Sequence, residues 1–144
     1  MKTNEIHITF PAKSENEALA RMCASAFCAQ LDPTIEELSD IRTAVSEAVT
    51  NAVIHAYNSQ PYPIYMDMYS RDDELKIVIR DTGRGIPDVN EAMQPFYTTV
   101  PGDERSGMGF SVMQAFTDEL TVKSTDGIGT VVTMIKHIGK NRPE

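Results

Sequence analysis

Two pairs of short segments with alternating apolar and polar residues constrain the fold most strongly. Alternation runs over residues 64–68 and again over 75–79, around a polar turn at 71–74. A second pair surrounds the turn Thr125-Asp126-Gly127 and ends in an alternating segment at 131–135. Period-two alternation is typical of half-buried strands, and short turns between such strands are typical of hairpins. The sequence therefore predicts two β-hairpins with antiparallel pairing.

Helical periodicity fills the regions between the strands. A strand over residues 5–10 comes first, followed by one helix over 14–31 and a longer one over 34–58. Both helices open with the capping-box pattern, in which the first and fourth residues satisfy each other's backbone N–H groups. The two patterns are Ser14-x-x-Glu17 and Thr34-x-x-Glu37. A short third helix is predicted over Gly109 to Phe116.

The stretch between Asp81 and Gly109 mostly lacks periodicity, apart from a short helical turn expected over 88–93. Loops of this length inside a compact domain are usually functional or mobile. The predicted order is one strand, two helices, a hairpin, the loop, a helix and a second hairpin. Neighbouring strands joined by short turns favour an α+β layer sandwich over a doubly wound parallel sheet.

The charge balance narrows the class of partner. The 144 residues carry 13 Lys and Arg against 21 Asp and Glu, a formal net charge of −8. Such a surface repels polyanions, so direct binding to nucleic acid or to an anionic membrane is not expected. There is no signal-peptide pattern and no run of about 18 apolar residues, so a cytoplasmic protein is expected.

One stripe of the second helix carries polar residues at a spacing that brings them together. At about 100° per residue, Glu47, Asn51 and His55 point in nearly one direction, opposite the apolar positions. A carboxylate beside a carboxamide suits a proton acceptor next to an oxygen ligand for a hard cation such as Mg²⁺. Ala44 and Ala48 rim this side and would let another body approach closely. A solvated helix face is the alternative interpretation.

Three glycine-containing motifs are candidate ligand sites. Asp81-Thr82-Gly83-Arg84-Gly85 follows an apolar strand, and its glycines leave room for a flat ligand against the backbone. Ser106-Gly107-Met108-Gly109-Phe110 opens a helix whose free N–H groups favour phosphate, with Arg105 as an added charged contact. Gly129-Thr130 begins the last strand. A plain turn, a flexible hinge and an ordinary hairpin exit are the alternatives, and neither GxGxxG nor GxxxxGK[ST] is present.

Taken in order, these motifs resemble the N, G1 and G2 boxes and the terminal Gly-Thr of the GHKL ATPase and kinase superfamily. The matching segments are Glu47–Ala52, Asp81–Gly85, Gly107–Gly109 and Gly129-Thr130. Gln94-Pro95, Thr98-Thr99 and Glu104–Phe110 are similar to the bacterial anti-sigma factor serine kinases, closest to those of sporulation. The resemblance covers nearly the whole chain. It implies a single Bergerat-type ATP-binding domain over residues 1–144, a two-layer sandwich with helices on one face of a mixed, mostly antiparallel sheet.

The resemblance also implies roles for individual residues in binding ATP. Asp81 would accept a hydrogen bond from the adenine amino group, and Thr130 would support the same edge. Glu47 would be the general base, and Asn51 would ligate Mg²⁺ between the phosphates. A lid of about residues 94–106 would cover the nucleotide. The other residues implied in nucleotide binding are Gly83, Gly85, Arg105, Ser106, Gly107, Gly109 and Phe110.

The implied function has two parts. The chain would bind and inhibit a sporulation sigma factor, and it would act as an ATP-dependent protein serine/threonine kinase on a serine of an anti-anti-sigma factor. A homodimer is also implied. Arg21, on the exposed side of the first helix, matches a position that the family uses to touch its protein partners, and a solvated surface arginine is the alternative interpretation. A general-stress-type anti-sigma kinase and a non-catalytic, ATP-dependent sigma-binding module are the alternatives.

Overall fold

The strands and helices follow the predicted order. The computed structural model describes residues 2–58, 60–86, 88–93 and 109–139. The strands are β1 Thr3–Pro11, β2 Pro63–Arg71, β3 Glu74–Asp81, β4 Glu119–Thr125 and β5 Gly129–His137. The helices are α1 Glu15–Ala29, α2 Ile35–Thr50, α3 Val89–Ala92 and α4 Gly109–Phe116, and a π-helical segment, Asn51–Ala56, continues α2. Both predicted hairpins and the short helical turn before residue 94 are present.

The five strands form one sheet in the order β1-β2-β3-β5-β4. All four pairings between the described strands are antiparallel, so the parallel pair that a mixed sheet would contain is absent from them. A tight turn reverses the chain, which fixes the pairing within each hairpin as antiparallel. The expected α+β sandwich is confirmed, because α1, α2 and α4 pack on one face of this sheet.

Alternation along the strands decides which side chains enter the core. In β2 and β3 every second residue is buried, with the others facing away from the helices. In β5 the buried residues are Thr130, Val132 and Met134, whereas Val131, Thr133 and Ile135 are half-buried on the opposite face. Burial of this apolar face removes a large area from water and supplies most of the favourable free energy of folding.

The two predicted capping boxes have different outcomes. Thr34 has an extended backbone, its hydroxyl accepts the Glu37 N–H at 3.1 Å, and its own N–H donates to Glu37 Oε1 at 2.9 Å. The box at Ser14 was wrong, because Ser14 already has helical dihedral angles, φ −54° and ψ −37°, and its side chain makes no capping hydrogen bond. A side-chain cap needs an N-cap residue in the extended region.

Two large apolar side chains of α1 lie outside the core. Leu19 is 54% exposed and Met22 is 59% exposed. The buried stripe of α1 consists of Ala20, Ala24, Phe27 and Cys28.

Among the described residues, no helix is long and apolar enough to cross a membrane.

Candidate functional site

Glu47 and Asn51 lie one turn apart near the end of α2, where α4 packs against it. Gly109, the first residue of α4, lies directly beside both side chains. A methyl group at Gly109 would be 3.1 Å from both Oδ1 and Nδ2 of Asn51 and 3.4 Å from Glu47 Oε2. The structure therefore brings a carboxylate, a carboxamide and the start of a helix together at one place.

The helix that carries these residues widens at Asn51. Over Asn51–Ala56 it is π-helical, and the Tyr57 N–H donates to the carbonyl of Ala52, five residues earlier, at 3.1 Å. Asn58 follows with φ +48°, a left-handed conformation that asparagine tolerates better than most residues. Short π-helical segments are rare and are frequent at functional sites. The side chain of His55, the third residue of the predicted stripe, lies outside the described residues.

Asp81 is the last residue of β3 and pairs with Thr130 of β5. Both residues are buried, and the Gly83 N–H donates to Asp81 Oδ1 at 2.9 Å. Burial raises the pKa of the Asp81 carboxyl, and it outweighs the backbone N–H groups of Gly83 and Thr130, which lower it. A buried carboxyl group thus lies beside a threonine hydroxyl at the end of two paired strands.

The glycines of the loop after β3 allow other backbone segments to come close. A methyl group at Gly83 would collide with the carbonyl oxygen of Ala56, at the end of the π-helical segment. One at Gly85 would collide with the carbonyl oxygen of Thr125, and Gly85 also has φ +75°. The Arg84 N–H donates to the Ala56 carbonyl at 3.1 Å. These contacts hold the loop between the helix end and the β4–β5 turn.

Two further residues, which no sequence motif indicated, hold the same region. The buried Tyr57 hydroxyl accepts the Thr82 N–H at 2.7 Å. Ser124 Oγ accepts the Ile86 N–H at 2.7 Å and lies 3.0 Å from Thr130 Oγ1. Sequence reasoning had no signal for them, because the two bonded pairs are 25 and 38 residues apart along the chain.

Arg21 connects α1 to α2. Its Nη1 donates to Ser46 Oγ at 2.9 Å, and the residue is half-buried rather than exposed as expected. Ser46 directly precedes Glu47. The residue expected to touch protein partners is therefore hydrogen-bonded to the helix that carries the expected general base.

Part of the expected nucleotide site lies outside the described residues. This applies to Arg105, Ser106 and Gly107 and to the lid of about residues 94–106. Phe110 is described, and it is buried in the hydrophobic core one residue after Gly109. The described residues therefore include the Asp81 region and the Glu47–Asn51 region of the expected site.

The sequence matches the family described as histidine kinase-like ATPase domain over residues 10–136. It is 54% identical over 139 residues to an anti-sigma F factor of Caldanaerobacter subterraneus subsp. tengcongensis, covering 96% of this chain and 97% of that protein. Identity to the anti-sigma F factor of Geobacillus kaustophilus is 51% over 140 residues, 96% of each chain. Identity to that of Pasteuria penetrans is 52% over 144 residues, covering 99% of this chain and 96% of that protein.

Two solved structures share the fold. The crystal structure of the RsbU and RsbW domains of a Mycobacterium tuberculosis protein matches with a TM-score of 0.66 and 20% identity, covering 94% of this chain and 32% of that one. A histidine kinase domain from a blue-light activated histidine kinase of Erythrobacter litoralis matches with a TM-score of 0.55 and 22% identity, covering 73% of this chain and 46% of that one. The present protein thus spans less than half the length of each of these two matched chains. At this level of identity, the similarity shows a shared fold and nothing more.

Proposed function

The chain belongs to the histidine kinase-like ATPase domain family and, within it, to the anti-sigma F factors, and we propose that it binds and inhibits a sporulation sigma factor. In the same proposal it transfers the γ-phosphoryl group of ATP to a serine of an anti-anti-sigma factor. The names of relatives about half identical over nearly the full length support the first part. The arrangement of Glu47, Asn51 and Gly109 supports the second.

The close approach of Gly109 to Glu47 and Asn51 is the observation that carries the kinase proposal. A methyl group at Gly109 would lie 3.4 Å or less from an atom of each side chain, so a carboxylate and a carboxamide border the first residue of α4. Backbone N–H groups at the start of a helix attract phosphate oxygens. Phosphates bound there would lie within reach of the carboxylate of Glu47.

The adenine base would bind at Asp81. A carboxylate is an acceptor only, and the exocyclic amino group of adenine is a donor, so the two are complementary. Thr130 lies beside Asp81 in the sheet and can supply a hydroxyl to the same edge of the base. Gly83 and Gly85 would let the base and ribose lie against the backbone.

Phosphoryl transfer requires positioning and charge stabilisation more than covalent chemistry by the protein. As the serine oxygen bonds to the γ-phosphorus and the bond to the β–γ bridging oxygen breaks, Glu47 accepts the serine proton and ADP leaves. General-base catalysis of this kind typically contributes about 10²- to 10⁴-fold to the rate.

The donor atoms at the end of α2 fit Mg²⁺. This ion takes oxygen ligands and is usually held by one or two protein oxygens together with substrate phosphates and water. The carboxamide oxygen of Asn51 would hold it here, close to the start of α4. When bound, Mg²⁺ neutralises charge on the phosphates.

The residues outside the described structure take their proposed roles from the sequence motif. Arg105 would neutralise the γ-phosphate, and Gly107 would join Gly109 in giving N–H groups to the phosphates. Ser106 would complete the nucleotide contacts, and residues of about 94–106 would close over ATP. Phe110 lies within the described residues, and because its side chain is buried in the core, it would contribute only its backbone N–H group.

The protein partners would meet α1. Leu19 and Met22 expose apolar side chains on α1, and exposed apolar groups suit a protein interface. Arg21 of the same helix would add a charged contact. The net charge of −8 would favour a basic surface on the sigma factor. We also propose that residues 1–144 form one domain and that the protein works as a homodimer in the cytoplasm, where sigma factors act.

The substitution Glu47→Gln tests the kinase proposal. With Mg²⁺, ATP and the purified anti-anti-sigma factor, we expect phosphoserine formation to fall by about 10²- to 10⁴-fold, because the amide cannot accept the proton. The affinity for ATP should change little. Glu36→Gln is the matched control, since it removes the same charge from an exposed position of α2.

Other outcomes of these experiments would favour the alternative hypotheses. Normal phosphorylation by Glu47→Gln would refute the general-base role. Tight binding of ATP and a sigma factor by the wild-type protein without any phosphoryl transfer would identify a non-catalytic binding module. Capture of a general-stress sigma factor instead of a sporulation one would assign the protein to the general-stress class.

A further inference from the structure

A buried tyrosine connects the end of the π-helical segment to the loop after β3. The hydroxyl of Tyr57 donates to the Pro63 carbonyl at 2.7 Å, accepts the Thr82 N–H at 2.7 Å and lies 3.2 Å from Thr82 Oγ1. A phenol has one donor hydrogen and acceptor lone pairs, so these neighbours satisfy it. The residue is only 5% exposed, so a water molecule could not easily replace these partners.

Three successive backbone N–H groups of the loop after β3 each donate a hydrogen bond. The Thr82 N–H is bonded to Tyr57, the Gly83 N–H to the carboxylate of Asp81 and the Arg84 N–H to the Ala56 carbonyl. Two of the three acceptors therefore belong to adjacent residues at the end of the helix that begins as α2. The third is the carboxylate that we assign to adenine.

The bond to Thr82 bears directly on the orientation of Asp81. The Thr82 nitrogen and the Asp81 carbonyl carbon belong to one planar peptide unit, so holding this N–H fixes the plane that follows Asp81. The next N–H, that of Gly83, holds the carboxylate itself at 2.9 Å. A shift of the peptide plane would move both the carboxylate and the donor that positions it.

We propose that Tyr57 is a positioning residue that sets the orientation of the Asp81 carboxylate for recognition of the adenine amino group. This inference rests on the proposed contact between Asp81 and adenine. Tyr57 does not touch the nucleotide in this arrangement. It acts through the Thr82 peptide, and the hydroxyl rather than the ring carries the effect.

The test is a comparison of two nucleotides in Tyr57→Phe. For the full chain, dissociation constants are measured for ATP and for purine riboside triphosphate, which lacks the 6-amino group. Loss of one hydrogen bond should weaken ATP binding by about three- to tenfold and leave the other nucleotide within about twofold of wild type. In kinase assays the loss should fall on KM for ATP rather than on kcat.

Two further measurements separate positioning from general destabilisation. Tyr62→Phe is the matched control, because the Tyr62 ring packs 5.5 Å from that of Tyr57 but the residue is exposed, and it should bind both nucleotides as the wild type does. Amide hydrogen exchange of Thr82 in the nucleotide-free protein should accelerate in Tyr57→Phe and not in Tyr62→Phe.

Asp81→Asn, measured in parallel, separates failure of this inference from failure of the proposed adenine contact. Lost discrimination between the two nucleotides in Asp81→Asn, with none lost in Tyr57→Phe, overturns the role of Tyr57 alone. Equal weakening of both nucleotides by Tyr57→Phe also overturns it. In Asp81→Asn the Gly83 N–H occupies the one remaining acceptor oxygen, so the side chain presents its NH2 group to the adenine amino group. Unchanged discrimination in this variant overturns the adenine contact, and the positioning role with it.

Discussion

The two ends of the proposed nucleotide site are built by different means. At the Asp81 end, three successive backbone N–H groups donate to the Tyr57 hydroxyl, the Asp81 carboxylate and the Ala56 carbonyl. At the other end, Glu47 and Asn51 owe their meeting with α4 to the missing side chain of Gly109. The Asp81 end therefore depends on hydrogen-bond partners as well as on the tight space at Gly83, whereas the other end depends on the looser space at Gly109, and substitutions should affect the two ends differently.

Among the variants that compare the two ends, the largest effect is expected from Gly83→Ala at the Asp81 end. In Gly83→Ala the new methyl group would collide with the Ala56 carbonyl, which also accepts the Arg84 N–H, so the loop has to move. We expect ATP affinity to fall by about five- to 150-fold, since overpacking of this kind costs about 1–3 kcal/mol. Calorimetric titration with ATP measures this loss. An affinity within about threefold of wild type would show that the loop does not shape the ATP site.

The same change at the other end should have a different effect. In Gly109→Ala the methyl group lies 3.1 Å from Asn51, a milder conflict that displaces the carboxamide by a few tenths of an ångström. We expect the rate of phosphoryl transfer to fall by about tenfold, because small displacements near reacting groups are costly. The affinity for ATP, measured as for Gly83→Ala, should change much less. If both alanine variants lost affinity equally, the distinction between the two ends would be wrong.

The smallest effect on the site is expected from replacing a carboxylate in the first turn of α2, at the opposite end of the helix from Glu47 and Asn51. Glu37 is buried and accepts the Gly139 N–H at 3.1 and 3.0 Å. Burial raises the pKa of Glu37, but the N–H groups of Thr34 and Gly139, the Thr34 hydroxyl and the charge of Lys136 outweigh it, so the pKa is lowered. The ionised form is thus favoured by folding. Its stabilisation is complete above the unfolded pKa, about 4.3, and is lost as the pH falls through the lower folded value.

The substitution Glu37→Gln should lower the free energy of unfolding by about 1–3 kcal/mol at pH 7, with a smaller difference from wild type at acidic pH. Urea denaturation between about pH 3 and pH 7 measures both the loss of unfolding free energy and its dependence on pH. This range of about four pH units spans the titration of the Glu37 carboxyl. Glu36→Gln, at an exposed position of the same helical turn, should have little effect. A loss of ATP affinity in Glu37→Gln would show that this end of α2 is coupled to the site.

Local patterns predicted most of the elements of the fold. The hairpins, α2 and α4 follow from alternation, helical periodicity and the Thr34 box, all of which depend on residues close together in the chain. The Ser14 box failed because Ser14 itself has helical dihedral angles. The sequence also could not predict the hydrogen bond from Arg21 to Ser46, because that contact depends on how α1 packs on α2.

By itself, the sequence determined that Glu47 and Asn51 share a helix face and that glycines follow β3, because both depend on local geometry. The tertiary structure decided that Asp81 lies beside Thr130, which requires one register between β3 and β5. It also decided that Tyr57 meets Thr82. Such contacts join residues far apart in the chain, and only burial of the sheet under the helices brings them within hydrogen-bond distance.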